Sequence, residues 1–177
     1  FVFGSLAVRN SRTRATLHRL LEIAPYKVFD INLREPFYQR EEVEHLLQKA
    51  ELLKLNNHEL EFITDWFCGP YKDESDRIQF LLEQFSLNEI ILTKGKHGAS
   101  YHAYDTYQFT PAYQIKVKDT VGSGDAFLAA FLSQKLKGKD VENALDFASA
   151  VGAFVASNSG SCPDYIQKEV YDFVSRI

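Results

Sequence analysis

The fold of this chain is decided by a stretch that reads Asp119-Thr120-Val121-Gly122-Ser123-Gly124-Asp125. Before it, the apolar residues Tyr113, Ile115 and Val117 alternate with polar ones, a period of two that predicts a strand with one buried face. After it, residues 126–132 are apolar throughout and predict a helix. Because two glycines one residue apart are poor residues for a helix interior, we place both in the turn between strand and helix.

A turn of this kind is an expected anion site. The strand, the glycine turn and the helix aim backbone N–H groups at one point, and the positive end of the helix dipole adds to them. We expect a phosphate there, with Asp125 in the first helical turn beside it. An acid next to an anion site suggests chemistry rather than binding alone. The alternative is an ordinary strand-to-helix turn, in which an Asp is favoured at this position anyway.

The composition excludes several classes of protein. Of the 177 residues, 45% are hydrophobic and 25% are charged, as in a globular domain with a substantial core. The net charge of −4 gives no basic surface for nucleic acid, and no apolar run approaches the roughly 18 residues of a membrane span. Cys68 and Cys162 do not make a disulfide framework, which favours a reducing compartment, and we expect a cytoplasmic protein.

Hydrophobic periodicity predicts strands that alternate with helices. Strands are expected at residues 1–3, 27–31, 52–55 and 89–93, a hairpin at 99–104 and 107–110, and helices at 11–23, 41–50, 60–67, 74–85, 126–132, 141–157 and 164–176. This order predicts an α/β fold, in which a mostly parallel sheet carries helices on both faces. No linker or shift in composition divides residues 1–177, so we predict a single domain.

In such a sheet a ligand lies beyond the carboxyl ends of the strands, so the loops there are the candidate site. Polar residues or glycines occupy four of these loops: Asp30, Asn32 and Arg34; Asn56 and Glu59; Thr93, Gly95 and Gly98; and Gly122 to Asp125.

Asn56 and Glu59 lie three residues apart at the predicted start of a helix. On the first turn they can share a face and hold a hydrated Mg²⁺, which usually takes only one or two protein carboxylates together with phosphate oxygens. The alternative is a capping box, with Asn56 as the N-cap and Glu59 three residues later.

Two further loops also allow two interpretations. Gly95 permits close approach of the backbone to a ligand, and Thr93 offers a hydroxyl to a phosphate, but the same residues suit a simple turn before Ala99. Arg34 could steady a phosphate or a sugar hydroxyl, or be an ordinary surface arginine. Neither loop decides the function by itself.

Other motifs fail on spacing. The chain has no Walker P-loop, and Phe127 stands where the dinucleotide fingerprint needs a third small residue. Ser123 lacks the glycine two positions earlier that a nucleophile elbow requires. His58-Glu59 is not followed by a second histidine at the zincin spacing.

The combination of motifs resembles the ribokinase-like sugar kinases, also called the phosphofructokinase-B family. Residues 119–125 look like the signature of that family. Four other segments occur in its order and spacing: Phe3-Gly4-Ser5-Leu6, Asn56-x-x-Glu59, Thr93-x-Gly95-x-x-Gly98, and Phe147-Ala148-Ser149-Ala150-Val151-Gly152. Residues 30–34 (Asp-Ile-Asn-Leu-Arg) look most like the fructokinase and 2-keto-3-deoxygluconate kinase branch. The implied fold is a ribokinase-like three-layer α/β/α sandwich.

The resemblance implies an ATP-dependent phosphorylation of a sugar hydroxyl, most similar to that of fructokinases, with these roles. Asp125 is the general base, and Gly122, Ser123 and Gly124 supply an N–H anion hole. Asn32 and Arg34 contact the substrate, while Asn56 and Glu59 organise Mg²⁺. The remaining residues serve the nucleotide and a monovalent cation such as K⁺: Thr93, Gly95 and Gly98 at the phosphates; Ser149 and Gly152 at the adenine; and Asp119, Val121, Val155, Asn158 and Gly160 at the cation.

The resemblance also implies that this chain is the carboxyl-terminal, nucleotide-binding part of a longer kinase. The chain begins Phe-Val-Phe-Gly, contains no methionine and starts with what looks like a buried strand, so we expect upstream strands and a sugar lid that are absent here. A homodimer of the full-length protein is expected to form through that lid. Two alternatives stay open: a non-catalytic nucleotide-binding or regulatory module, and a kinase for 2-keto-3-deoxygluconate or a nucleoside.

Overall fold

The computed structural model describes residues 1–175 and contains a six-stranded sheet in which the strands follow chain order. The strands are β1 (Val2–Gly4), β2 (Val28–Asp30), β3 (Leu52–Asn56), β4 (Glu89–Thr93), β5 (Ala99–Ala103) and β6 (Thr106–Thr110). The strands β1, β2 and β3 are parallel, with Gly4 opposite Asp30 and Asp30 opposite Lys54. The predicted α/β fold is confirmed.

Seven α-helices are assigned within the described residues, and each corresponds to a predicted one. They are α1 (Ser11–Ile23), α2 (Arg40–Leu47), α3 (Asn57–Asp65), α4 (Glu74–Gln84), α5 (Ser123–Lys135), α6 (Val141–Ala156) and α7 (Gln167–Val174). The bounds shift by up to a few residues, as fraying helix ends do. The predicted end of the last helix, Arg176, lies outside the described residues.

The predicted strand before the glycine turn is wrong. Residues 111–117 have no regular secondary structure, Lys118 lies in a bend, and none of them pairs with a strand. Instead, the N–H groups of Lys118 and Asp119 donate to the Ala156 carbonyl at the end of α6, at 2.8 and 3.3 Å. Alternating polar and apolar residues fit any extended segment with one covered side, so the pattern alone does not distinguish a strand from a segment that lies along a helix.

Two smaller predictions also need correction. Gly124 lies in the first turn of α5 rather than in the turn before it, because the helix begins at Ser123. The expectation rested on the low propensity of glycine for a helix interior, which does not govern the first turn. In β1 only Phe3 is buried, whereas Phe1 and Val2 are 43% and 50% exposed, because β1 is the first strand of the sheet order.

The chain divides into two compact units, and each is described by itself. The first unit comprises residues 1–92 and 102–106, and the second comprises 93–101 and 107 onward. The core of the first unit includes the stacked rings of Phe3 and Phe29, whose centroids lie 4.9 Å apart. Whether the whole chain behaves as one domain stays a prediction.

The second unit is centred on the packing of α5 against α6. Phe127 and Phe131 of α5 are buried. The small residue Gly152 of α6 lets the two helices approach closely, because a Cβ there would lie 3.3 Å from the Ser123 carbonyl oxygen and 3.4 Å from the Phe127 Cβ. Within the described residues, no helix has the length and apolar character that crossing a membrane requires.

Candidate functional site

The predicted site residues fall into two groups, one in each unit. The first group occupies the loop after β2 and the junction of β3 with α3: Asn32, Arg34, Asn56 and Glu59. The second group follows β4, begins α5 and lies on and after α6: Thr93, Gly95, Gly98, Asp119, Val121, Gly122, Ser123, Gly124, Asp125, Ser149, Gly152, Val155, Asn158 and Gly160.

Asn56 and Glu59 form the capping box that their spacing predicted. The Glu59 N–H donates to Asn56 Oδ1, and the Asn56 N–H donates to Glu59 Oε2, both at 2.9 Å. Each carboxylate oxygen has more than one acceptor position, so the box leaves room for a metal-bound water. The cap is therefore compatible with the magnesium role, which stays a prediction.

Glu59 also reaches the loop after β2. Its Oε1 accepts the N–H of Leu33 at 3.1 Å, so a single carboxylate joins two loops at the ends of neighbouring strands. The side chain is buried, and this burial raises the pKa of Glu59, while the N–H groups of Asn56 and Leu33 act in the opposite direction.

A buried ion pair beside this group was not predicted. Lys54 and Asp30 are each 8% exposed, and the Lys54 ammonium lies 3.0 and 3.1 Å from the two Asp30 carboxylate oxygens. The two residues are partners in the parallel register of β2 and β3. The available signal was a lysine inside the apolar run of residues 52–55 and an aspartate at the end of a neighbouring strand.

The glycine turn before α5 has the geometry of an anion site. Gly122 is the N-cap and has a left-handed φ of 81°, and a Cβ there would lie only 2.0 Å from the Ser161 carbonyl oxygen. The Ser123 N–H donates to the Thr120 carbonyl at 3.3 Å. The N–H groups of Gly122, Gly124 and Asp125 donate to no acceptor within residues 1–175.

The carboxylate of Asp125 stands in the first turn of α5, as predicted. The residue is exposed, and its side chain makes no hydrogen bond or ion pair with any described residue. An unpaired carboxylate next to free N–H groups can accept a proton from a hydroxyl while those groups bind an anion.

Asp119 closes the loop that was predicted to hold a monovalent cation. Its Oδ1 accepts the Val121 N–H at 3.0 Å and its Oδ2 accepts the Gly160 N–H at 3.3 Å. Val155 and Asn158 lie at the end of α6, where the Asn158 N–H donates to the Val155 carbonyl at 3.0 Å. These hydrogen bonds bring the predicted residues together, and the cation itself stays a prediction.

The loop after β4 is a short 3₁₀ turn. The Lys94 N–H donates to the Gly98 carbonyl at 2.8 Å, which closes the loop. Gly98 is buried with a φ of 95°, and a Cβ would meet the Thr110 carbonyl oxygen at 2.1 Å, so packing alone requires glycine there. Gly95 is exposed with open space around its Cα, as a residue that a phosphate approaches should be.

Ser149 carries a buried hydroxyl that lacks a partner. Its Oγ is inaccessible to solvent and makes no hydrogen bond with the described residues. A buried polar atom without a partner is costly, and one explanation is that the hydroxyl forms a hydrogen bond with a bound ligand. The residue lies on α6 one turn before Gly152.

No three side chains of His, Cys, Asp or Glu within residues 1–175 come together as a metal site. A hydrated magnesium ion does not need such a cluster, because it keeps several waters and takes phosphate oxygens as well. The donor set of Asn56 and Glu59 therefore suits Mg²⁺ bound through water rather than a dehydrated ion.

The comparison with known proteins shows the family. The model of the pfkB family of carbohydrate kinases matches residues 1–168, so the chain belongs to that family. The chain is 31% identical to fructokinase-1 of Oryza sativa subsp. japonica, in an alignment that covers 92% of this chain and 54% of that protein. The chain spans about half the length of curated relatives such as this one.

Solved structures show the same fold. A fructokinase from Vibrio cholerae O395 superposes with a TM-score of 0.84 at 23% identity, covering 98% of this chain and 59% of that one. A fructokinase from Xylella fastidiosa superposes with a TM-score of 0.83 at 19% identity, covering 99% and 61% of the two chains. The resemblance inferred from the motifs is thus confirmed at the level of family and fold.

Proposed function

We propose that the protein containing this chain transfers the γ-phosphoryl group of ATP to a hydroxyl of a sugar, and that fructose is this sugar. The observation that carries the proposal is the unpaired Asp125 carboxylate beside the free N–H groups of Gly122 and Gly124. Membership of the carbohydrate kinase family supports the reaction class.

Asp125 acts as the base in this proposal. As the sugar oxygen attacks the γ-phosphorus in line with the leaving ADP, the carboxylate takes the hydroxyl proton. Phosphoryl transfer passes through a loose transition state, so positioning and charge stabilisation contribute most of the rate. The N–H groups of Gly122 and Gly124 stabilise the charge on the transferring group, and Ser123 adds its own N–H if the long bond to Thr120 opens.

The other predicted residues hold the nucleotide and ions. Asn56 and Glu59 would hold the water shell of Mg²⁺, which when bound would neutralise phosphate charge. Thr93, Gly95 and Gly98 form the loop for the phosphates, while Ser149 and Gly152 line the adenine pocket. The loop closed by Asp119 would hold K⁺ through backbone carbonyls at the end of α6.

Fructose is favoured by the relatives. The rice relative is a fructokinase, and the V. cholerae enzyme structure contains fructose, ADP and a calcium ion, while that from X. fastidiosa contains ATP. Asn32 and Arg34 supply contacts to sugar hydroxyls in this proposal. A full-length homodimer is part of the same proposal.

The test is an assay of the full-length protein with ATP–Mg²⁺ and a panel containing fructose, ribose, 2-keto-3-deoxygluconate and a nucleoside. ADP release with fructose at the highest kcat/KM is the expected result. Turnover of another panel member alone would replace fructose and keep the reaction class. Calorimetric binding of ATP–Mg²⁺ with no turnover of any sugar would instead support the non-catalytic nucleotide-binding module.

A further inference from the structure

The loop after β2 is held at its backbone from two sides. On one side, the hydroxyl of Ser5 donates to the Asn32 carbonyl at 3.1 Å. On the other side, the Leu33 N–H donates to Glu59 Oε1 at 3.1 Å. Ser5 and Glu59 are 1% and 8% exposed, so both bonds are sheltered from competition with water.

The residue that carries the first of these anchor points takes an unusual conformation. Asn32 has a φ of 38°, in the left-handed region that asparagine tolerates better than most residues. Ile31, just before it, is fully buried, donates its N–H to the Lys54 carbonyl at 3.1 Å and accepts the Ser5 N–H at 3.3 Å. The backbone path through the loop is therefore specified at consecutive residues.

Two polar side chains of the same loop, those of Asn32 and Arg34, remain available for a ligand. Neither the Asn32 amide nor the Arg34 guanidinium makes a hydrogen bond or ion pair with a described residue. A fixed backbone that presents unpaired polar side chains is the arrangement that preorganised recognition requires, because the cost of ordering the loop is met before the ligand binds.

We propose that Ser5 and Glu59 are positioning residues for the sugar, which set the loop so that Asn32 and Arg34 meet its hydroxyls. This inference rests on the proposed function and adds a second role to Glu59. The Glu59 carboxylate reaches the loop through one oxygen and the backbone of Asn56 through the other. One side chain thereby joins the sugar loop to the start of α3, whereas Ser5 acts on the loop alone.

The decisive test compares the KM for fructose with the KM for ATP in variants of Ser5 and Glu59. In the full-length protein, Ser5→Ala removes only the bond to the Asn32 carbonyl, and the KM for fructose is expected to rise roughly 3- to 10-fold, as one net hydrogen bond predicts. The KM for ATP is expected to stay within about twofold. Glu59→Ala should raise both constants, and Glu59→Gln, which keeps one acceptor oxygen, should raise the fructose KM less than Glu59→Ala.

A control separates positioning from general loss of stability. Asn10 caps α1 in the same unit through an exposed bond from the Arg12 N–H at 2.9 Å, and it makes no hydrogen bond with residues 32–34. Asn10→Ala should lower the melting temperature by an amount comparable to Ser5→Ala and leave the fructose KM unchanged. A rise in the fructose KM in Asn10→Ala would overturn the positioning role.

A second readout needs no turnover. Amide hydrogen exchange of ligand-free protein should be faster at residues 32–34 in Ser5→Ala and Glu59→Gln than in wild type, and unchanged there in Asn10→Ala. Unchanged exchange in both loop variants, or faster exchange with an unchanged fructose KM, would overturn the inference. A wild-type protein that phosphorylates no sugar would instead refute the proposed function, while the exchange result would still report whether the two residues hold the loop.

Discussion

In the two units, four polar side chains differ in what they already bind. In the first unit, the carboxylates of Asp30 and Glu59 are buried and are bound by Lys54 and by two backbone N–H groups. In the second unit, the carboxylate of Asp125 and the hydroxyl of Ser149 have no partner within the described residues. The difference indicates that the carboxylates of Asp30 and Glu59 hold neighbouring strands and loops in position, whereas the Asp125 carboxylate and the Ser149 hydroxyl stay available for a ligand.

The largest effect is expected at the available carboxylate. Asp125→Asn removes the proton acceptor but keeps the size of the side chain, and the kcat of the full-length protein should fall by about 10²- to 10⁴-fold, the usual contribution of a general base. ATP should still bind, as measured by calorimetry. The control is Asp140→Asn at the start of α6, where the aspartate serves as a helix cap that bonds Asn143, and turnover should persist. Full turnover in Asp125→Asn would exclude the base role.

In the first unit, the charges of Asp30 and Lys54 already pair with each other, so replacing one of them is expected to change the stability of the protein. Lys54→Met removes the ammonium group that pairs with the buried Asp30 carboxylate, and the free energy of unfolding should fall by about 3–5 kcal/mol. The matched control is Lys49→Met, because Lys49 pairs with Glu22 at 2.9 Å on the exposed surface, where a pair contributes less than about 1 kcal/mol. Denaturant unfolding measures both.

A double variant completes this test. Replacing both Asp30 and Lys54 by apolar residues of similar size should recover most of the stability that Lys54→Met loses, since no buried charge then remains unpaired. If the double variant is as unstable as the single one, then packing around the pair, and not its charge, is what stabilises this part of the sheet.

The glycine turn of the second unit is held by close backbone approach as well as by the hydrogen bonds to the Asp119 carboxylate. Gly122→Ala would place a Cβ 2.0 Å from the Ser161 carbonyl oxygen, in addition to the strain of a φ of 81°. Gly138 is the control, because its φ is 75° but nothing lies within 4 Å of an added Cβ. Both alanine variants carry conformational strain of about 1–2 kcal/mol, and Gly122→Ala should lose about 1–3 kcal/mol more through overpacking. Equal losses would show that Ser161 moves aside easily.

The sequence alone allowed much of this contrast to be predicted, but not all of it. The spacing of Asn56 and Glu59 and the pair of glycines around Ser123 depend on local geometry, which short motifs encode. The contact between Asp30 and Lys54 depends on the register of two strands 24 residues apart, which no local pattern encodes. The hydrogen bond from Ser5 to Asn32 cannot be predicted from a local pattern for the same reason, since it spans 27 residues.

The segment before the glycine turn was mispredicted for a different reason. Its alternation predicts one buried side, but Tyr113 and Ile115 are only half-buried and Val117 is 56% exposed. In the structure, however, the covering element is α6: the Tyr113 hydroxyl donates to Asp146 at 2.5 Å, and the Lys118 N–H donates to the Ala156 carbonyl. Burial and the bond to Asp146 raise the pKa of Tyr113 to about 12. A period of two records which side is covered but carries no information about the covering element.

The smallest effect is expected at Ser149, whose side chain offers a ligand a single polar atom, the hydroxyl oxygen. Ser149→Ala removes a buried hydroxyl that bonds nothing in the described residues, so the stability of the ligand-free protein should be unchanged or rise by less than about 1 kcal/mol. If the nucleotide forms a hydrogen bond with that hydroxyl, the Kd of Ser149→Ala for ATP should be roughly 2- to 10-fold higher than that of wild type, the range of one net hydrogen bond. Ser133→Ala is the control, because its hydroxyl already donates to the Ala130 carbonyl at 2.8 Å within α5. An ATP affinity that is equal in wild type and Ser149→Ala would mean that the hydroxyl is simply unsatisfied and makes no contact with the nucleotide.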